Sequence, residues 1–149
     1  MLGKLTDMQI EQVLYANFVG RIGCYADGRM YIVPVTYVYD DGYIYAHSKE
    51  GLKVQMMRKN PQVCFQVDAM ENMTNWRSVI VWGEYQELKS EKEQKAGMKT
   101  MIDRLAPFMT SETVRPSSHP HAPEIVEKDF KAVAYRIKVI ESTGRFEKT

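Results

Sequence analysis

Chemistry in this chain concentrates in one short stretch, Tyr43-Ile44-Tyr45-Ala46-His47-Ser48-Lys49-Glu50-Gly51-Leu52-Lys53. Tyr43 to Ala46 alternates aromatic and aliphatic residues as a strand does. Ser48 offers an N-cap hydroxyl, and the following residues read as a helix that ends before Asn60-Pro61. A strand that feeds a helix in this way can hold an anion. The first helical turn has free backbone N–H groups and the positive end of a dipole. Gly51 lets a ligand approach the backbone, and Lys53 adds a full charge. His47 directly precedes this corner. It is the candidate reactive residue, set against the plainer reading of a histidine that hydrogen-bonds at a strand end.

Other reactive types are sparse. Cys24 and Cys64 stand in apolar, strand-like surroundings and read as buried thiols rather than a disulfide. His119 and His121 flank Pro120 in a proline-bounded loop, where they could touch a metal, a haem or another ligand. No carboxylate or thiol stands at ligand spacing beside them, so no metal site is assigned. Trp76 and Trp82 share strand parity and therefore one face. That face suits packing between subunits. Met56 and Met57 read as core filling.

The elements that must position these residues follow from periodicity. Thr6-Asp7-Met8-Gln9 has a capping-box pattern, with Ile10, Val13 and Leu14 at helical spacing behind it, so a helix is expected over 7–16. Strands are expected from Val19 to Tyr25 and from Met30 to Tyr39, joined at Asp27-Gly28. Pro34 cannot donate to a ladder, which places it at an edge, a bulge or a gap facing a ligand. A third strand runs from Tyr43 to His47, a short helix from Leu52 to Lys59, and a fourth strand from Gln62 to Met70. Trp76 to Leu88 forms a long fifth strand with a bulge expected at Gly83. Ser90, with Glu93 three residues later, opens a helix that reaches Leu105. Residues 108–123 read as irregular, Lys131 to Ile140 as a last strand, and Gly144 to Thr149 as a polar tail.

The chain has 149 residues, suiting one domain, and a formal net charge of +1. That balance gives no field to gather nucleic acid or an anionic membrane. The basic clustering is local: Lys53, Arg58 and Lys59, then Arg77. There is no run long enough to span a bilayer and no signal-peptide core at the start, so the cytoplasm is expected. Hairpin-linked strands with few helices favour an antiparallel sheet in a small closed or split barrel, a mainly β (α+β) fold with flanking helices.

In this order the residues resemble a known family. Val33-Pro34-Val35-Thr36-Tyr37-Val38-Tyr39-Asp40-Asp41-Gly42, then Ile44-Tyr45-Ala46-His47-Ser48, Gly51-Leu52-Lys53, Asn60-Pro61-Gln62-Val63 and Trp76-Arg77-Ser78-Val79-Ile80-Val81-Trp82-Gly83 carry the likeness. The sequence is similar to the FMN-binding split-barrel proteins related to pyridoxamine 5'-phosphate oxidase, nearest to the nitroimidazole-resistance-like or flavin-nucleotide-binding branch. The resemblance implies a homodimer with FMN at the subunit interface. It implies that Lys53 and Arg77 bind the phosphate, that Ser48 or the backbone around it substitutes for a serine lost at Gly51, and that Arg77 and Ser78 open a strand lying along the flavin. It implies that Pro34, Val35 and Thr36 face the ring and that His47 is functional. The arginine- and tryptophan-rich C-terminal substrate segment of the true oxidase has no counterpart here, so vitamin B6 oxidation is not expected. The reading is therefore a flavin oxidoreductase with a small-molecule substrate. The alternative is a flavin or haem protein without turnover, with FAD and haem ranked behind FMN.

Overall fold

The computed structural model describes residues 1–109 and 132–149. The expected His119/His121 loop lies outside them. Eight strands form one antiparallel sheet in the order β3-β2-β6-β7-β8-β5-β4, with β1 added to the far edge of β8. Their bounds are β1 Leu2–Lys4, β2 Val19–Ala26, β3 Arg29–Thr36, β4 Val38–Asp40, β5 Tyr43–Ser48, β6 Gln62–Asn72, β7 Asn75–Glu87 and β8 Val133–Glu147. Helices α1 (Asp7–Ala16), α2 (Leu52–Lys59) and α3 (Glu91–Leu105) flank it, and a 3-10 turn, Ala106–Met109, follows α3.

Local chemistry sets most of these bounds. Thr6 Oγ1 accepts from the Gln9 N–H at 3.2 Å while Gln9 Oε1 accepts from the Thr6 N–H at 2.9 Å, the reciprocal cap that starts α1. The β2–β3 hairpin turns on Asp27 (φ 54°) and Gly28 (φ 77°), and the β4–β5 hairpin on Asp41 (φ 44°) and Gly42 (φ 84°). Both are left-handed pairs whose twist matches the flanking strands. Along β6, Val63, Phe65 and Val67 are buried; along β7, Val79, Val81 and Tyr85. These alternating residues, with Ile22, Ile44 and Ile137, build the barrel core.

The sheet curls but does not close. Its two end strands, β3 and β4, are consecutive in the chain and do not pair with each other. The expected single strand from Met30 to Tyr39 is thus two strands broken at Tyr37. The Tyr37 N–H donates to the Phe18 carbonyl at 2.8 Å, the next step of the β2–β3 register after Val19–Thr36, and its hydroxyl donates to the Leu14 carbonyl of α1 at 2.7 Å. Tyr37 is 1% exposed, with its ring edge-on to Phe65. The buried hydroxyl ties the point where β3 gives way to β4 to α1. Pro34 lies on β3, an edge strand, where its missing N–H costs no ladder bond on the open side.

The C-terminal end differs from expectation. Gly144 to Glu147 is no free tail: it continues β8 between β7 and β1, with Arg145 opposite both Ser78 and Lys4. Backbone pairing needs no apolar side chain, so composition concealed it. The irregularity at Gly83 is present, but the extra residue is Ile140 on β8, between the pairs Trp82–Glu141 and Gly83–Val139.

Candidate functional site

The unclosed seam holds a pocket. Pro34, Val35 and Thr36 from the end of β3, Tyr37 and Val38 at the break, His47 from β5 and Lys53 from α2 surround about 270 Å³, with Met101 and Leu105 of α3 as a further wall. Five residues singled out in the sequence (Pro34, Val35, Thr36, His47 and Lys53) meet here. Alternation on β3 turns Val35 toward the core, where it packs with Val33, and leaves Pro34 and Thr36 exposed. His47 is exposed at the end of β5, beyond Tyr45, whose ring lies under α3 with Val38, Met98 and Met101.

The electrostatics single out Lys53. Arg58 grips Glu87 through two bonds, Nε to Oε1 at 2.7 Å and Nη2 to Oε2 at 3.1 Å, and also pairs with Glu50. Lys59 is held by Asp27 at 2.6 Å. Both cations are therefore answered locally. Lys53 has no carboxylate within ion-pair distance among the described residues. It is the second residue of α2, whose N-cap Gly51 is extended and supplies no side-chain bond. The first-turn N–H groups of α2 and one unanswered ammonium thus share a corner.

Ser48 does not cap α2 as expected. It is the last residue of β5, and its hydroxyl donates to the Lys49 carbonyl at 3.1 Å rather than capping α2. Three further residues separate it from the helix. Arg77 and Ser78 also stay apart from Lys53 within one chain. They are neighbours on β7, so their side chains take opposite faces. Ser78 accepts from Gln66 Nε2 at 3.1 Å on the outer face, whereas Arg77 lines a separate cavity with α1.

The cysteines divide. Cys24 faces the core at 5% exposure, and Cys64 is exposed on the outer face, correcting the expectation that both are buried. Burial pushes the Cys24 thiol up, the neighbouring Cys64 thiol adds to this, and the Lys53 ammonium opposes it.

Tyr37, Met101 and Leu105 belong to the site and were not singled out beforehand. Met98, Met101 and Leu105 do recur at helical spacing on α3, which marks a buried face but says nothing of what that face meets. Arg104 fixes the same helix: its guanidinium lies 3.5 Å above the Tyr15 ring and donates to the Tyr15 carbonyl at 2.6 Å.

The outer face of the sheet is unusually apolar. Ile32, Gly23, Cys64 and Trp82 are consecutive cross-strand partners on β3, β2, β6 and β7. Ile32 is 70% exposed, Trp82 43% and Ile140 62%. With Tyr25 and Met30 they line a shallow hollow of about 820 Å³. Trp76 is partly buried instead, its indole N–H donating to Glu147 Oε1 at 3.2 Å. No helix among the described residues is long and apolar enough to cross a membrane.

Comparison with known proteins adds to this geometry. A family model described as pyridoxamine 5'-phosphate oxidase matches residues 6–146. An uncharacterized protein of Rhizobium meliloti strain 1021 is 38% identical over 80 residues, 54% of this chain and 53% of that one, so the match spans about half the relative's length. The crystal structure of an FAD-binding protein from Mesorhizobium loti superposes with a TM-score of 0.79 at 31% identity, covering 99% of both chains. A candidate 5-nitroimidazole antibiotic resistance protein from Bacteroides thetaiotaomicron shares the fold at 15% identity, with a TM-score of 0.72 over 98% of this chain and 87% of that one.

Proposed function

The chain belongs to the pyridoxamine 5'-phosphate oxidase family, and from that premise we propose that it binds a flavin, FMN, at the β3–β4 seam and acts as an oxidoreductase on a small molecule. The observation that carries this reading is the corner itself. Lys53 stands without a counter-ion at an uncapped helix start, beside an edge strand whose proline leaves the ladder open. A phosphate suits that corner, since it accepts from helical N–H groups and from an ammonium at once. Pro34, Val35 and Thr36 provide a flat wall for a ring, and Met101 and Leu105 an apolar side. Lys53 is the one cation in the pocket lining, which favours one phosphate over the pyrophosphate of FAD. The FAD-binding relative at 31% identity supports a flavin of either kind.

The seam pocket also implies a second copy. At about 270 Å³ it falls below the roughly 300–1,000 Å³ of sites that enclose a whole ligand. A homodimer completes it, with the apolar outer face as the contact surface and Ser78 on the side that meets the partner. Of the nine positions around the pocket, His47 supplies the one imidazole, with a ring nitrogen to donate and one to accept a hydrogen bond. Bound flavin supplies the electron chemistry; the chain supplies position, charge and exclusion of water.

The test is the visible spectrum of the purified protein before and after addition of FMN or FAD, with mass spectrometry of what acid releases. Anaerobic addition of NADH or NADPH follows. Uptake of FMN and bleaching by a nicotinamide support the whole reading. Tighter uptake of FAD corrects the cofactor. Binding without bleaching by any donor favours a flavin-binding role without turnover, and failure to take up either flavin overturns the proposal.

A further inference from the structure

A second cavity, about 650 Å³, opens between α1 and the ends of β6, β7 and β8. It shares no lining residue with the seam pocket. Its floor follows from register. Ala69 is opposite Arg77, Arg77 opposite Phe146, and Phe146 opposite Gly3. Directly paired residues share a face, so the guanidinium and the phenyl ring stand side by side between two small residues. Gly3 is needed there: a Cβ would come within 2.6 Å of the Phe146 ring. Ala69 is a small neighbour beside Arg77, and Trp76 also lines the cavity from the next position of β7, where alternation turns its indole to the opposite face and onto Glu147.

Polar groups on α1 face the same space. Gln9, Gln12 and Asn17 line it. Gln9 uses its oxygen on the Thr6 N–H and Asn17 one N–H on the Val13 carbonyl, which leaves amide donors on both. Arg77 has no carboxylate within ion-pair distance among the described residues. The acidic residues of the lining, Glu71 and Glu147, set the ligand's charge. They oppose a dianionic phosphate and tolerate a single carboxylate.

We propose that this cavity binds a small aromatic carboxylate, its carboxylate forked onto Arg77 and its ring against Phe146. The guanidinium fork matches a carboxylate bidentately, and the phenyl wall matches a planar ring. The site is independent of the flavin reading, because Arg77 and Lys53 serve different pockets.

The two tryptophans make the test specific, since Trp76 lines the cavity and Trp82 lies on the outer face. Benzoate, and separately benzamide, is titrated into the full chain while the two indole N–H signals are followed by NMR, assigned with Trp76→Phe. Benzoate is expected to move the Trp76 signal saturably and leave Trp82 in place. Benzamide, or benzoate on Arg77→Gln, is expected to bind about tenfold more weakly or worse, as loss of a charge-assisted pair predicts. Ala69→Leu, which fills the space beside Arg77, is expected to abolish the response with Arg77 intact. FMN affinity is expected to survive Arg77→Gln. No saturable shift, an equal response to benzamide, or an unchanged response in Arg77→Gln overturns the proposal. Loss of FMN affinity in Arg77→Gln also overturns it, by placing Arg77 in the flavin site.

Discussion

His47 is exposed at the end of β5, and among the described residues nothing hydrogen-bonds its ring. A purely structural histidine usually spends one ring nitrogen on a backbone or carboxylate partner. His47→Ala is therefore expected to leave flavin affinity unchanged and to slow turnover with a nicotinamide donor; equal turnover would make His47 scaffolding. At this scale the sequence was informative where one residue type suffices. A lysine after a glycine at a helix start can be read without coordinates. Ser48 could not be placed, because its role depended on where the strand stops. The pair Arg77-Ser78 was read as one unit, although strand alternation sends its side chains to opposite faces.

The seam that forms the site is an affair of elements. Tyr37 ties the β3–β4 break to α1 through its buried hydroxyl, and burial keeps that phenol protonated. Tyr37→Phe leaves the Leu14 carbonyl without its donor, so a loss of about 1–3 kcal/mol is expected in urea unfolding. No loss would mean that the hydroxyl does not hold the break. Arg58 joins α2 to β7 and holds the Glu87 carboxyl below the usual carboxylate range. The sign follows: Glu87 contributes its extra stability fully above the ordinary carboxylate pKa of about 4.3, and loses it as pH falls through the lower, folded value. Arg58→Ala is thus expected to narrow the stability gap between neutral and acid pH, measured by urea unfolding at each. An identical gap would remove the pair from the acid response. Caps, hairpins and alternation made most elements legible. The break at Tyr37 was not, because Met30 to Tyr39 is continuously strand-like and only the change of partner, from β2 for β3 to β5 for β4, divides it. The β8 tail was hidden for the converse reason: its pairing lies in the backbone, beneath polar side chains.

For the whole molecule, an apolar face crossing four strands and a seam pocket too small to enclose the proposed flavin both support the proposal of a second copy. Exposed apolar patches of this kind mark contact surfaces. Trp82→Glu places a charge in the middle of that face and is expected to yield a monomer by analytical ultracentrifugation, with flavin affinity reduced alongside. A wild-type chain that is monomeric yet binds flavin fully would contradict the two-copy site. Parity had placed Trp76 and Trp82 on one face, and Trp82 lies on the open surface. That the face would remain uncovered within one chain was not legible, since parity marks which residues share a face but not whether another element packs over them.

The central claim is that Lys53, left without a counter-ion, receives the flavin phosphate. Calorimetric titration of FMN into wild type, Lys53→Ala and Lys59→Ala tests it most directly, because Lys59 is a neighbouring cation already paired with Asp27. Lys53→Ala is expected to weaken FMN binding by about 1.5–3 kcal/mol, as for a charge-assisted bond, with Lys59→Ala close to wild type. Equal affinity in wild type and Lys53→Ala would contradict the account.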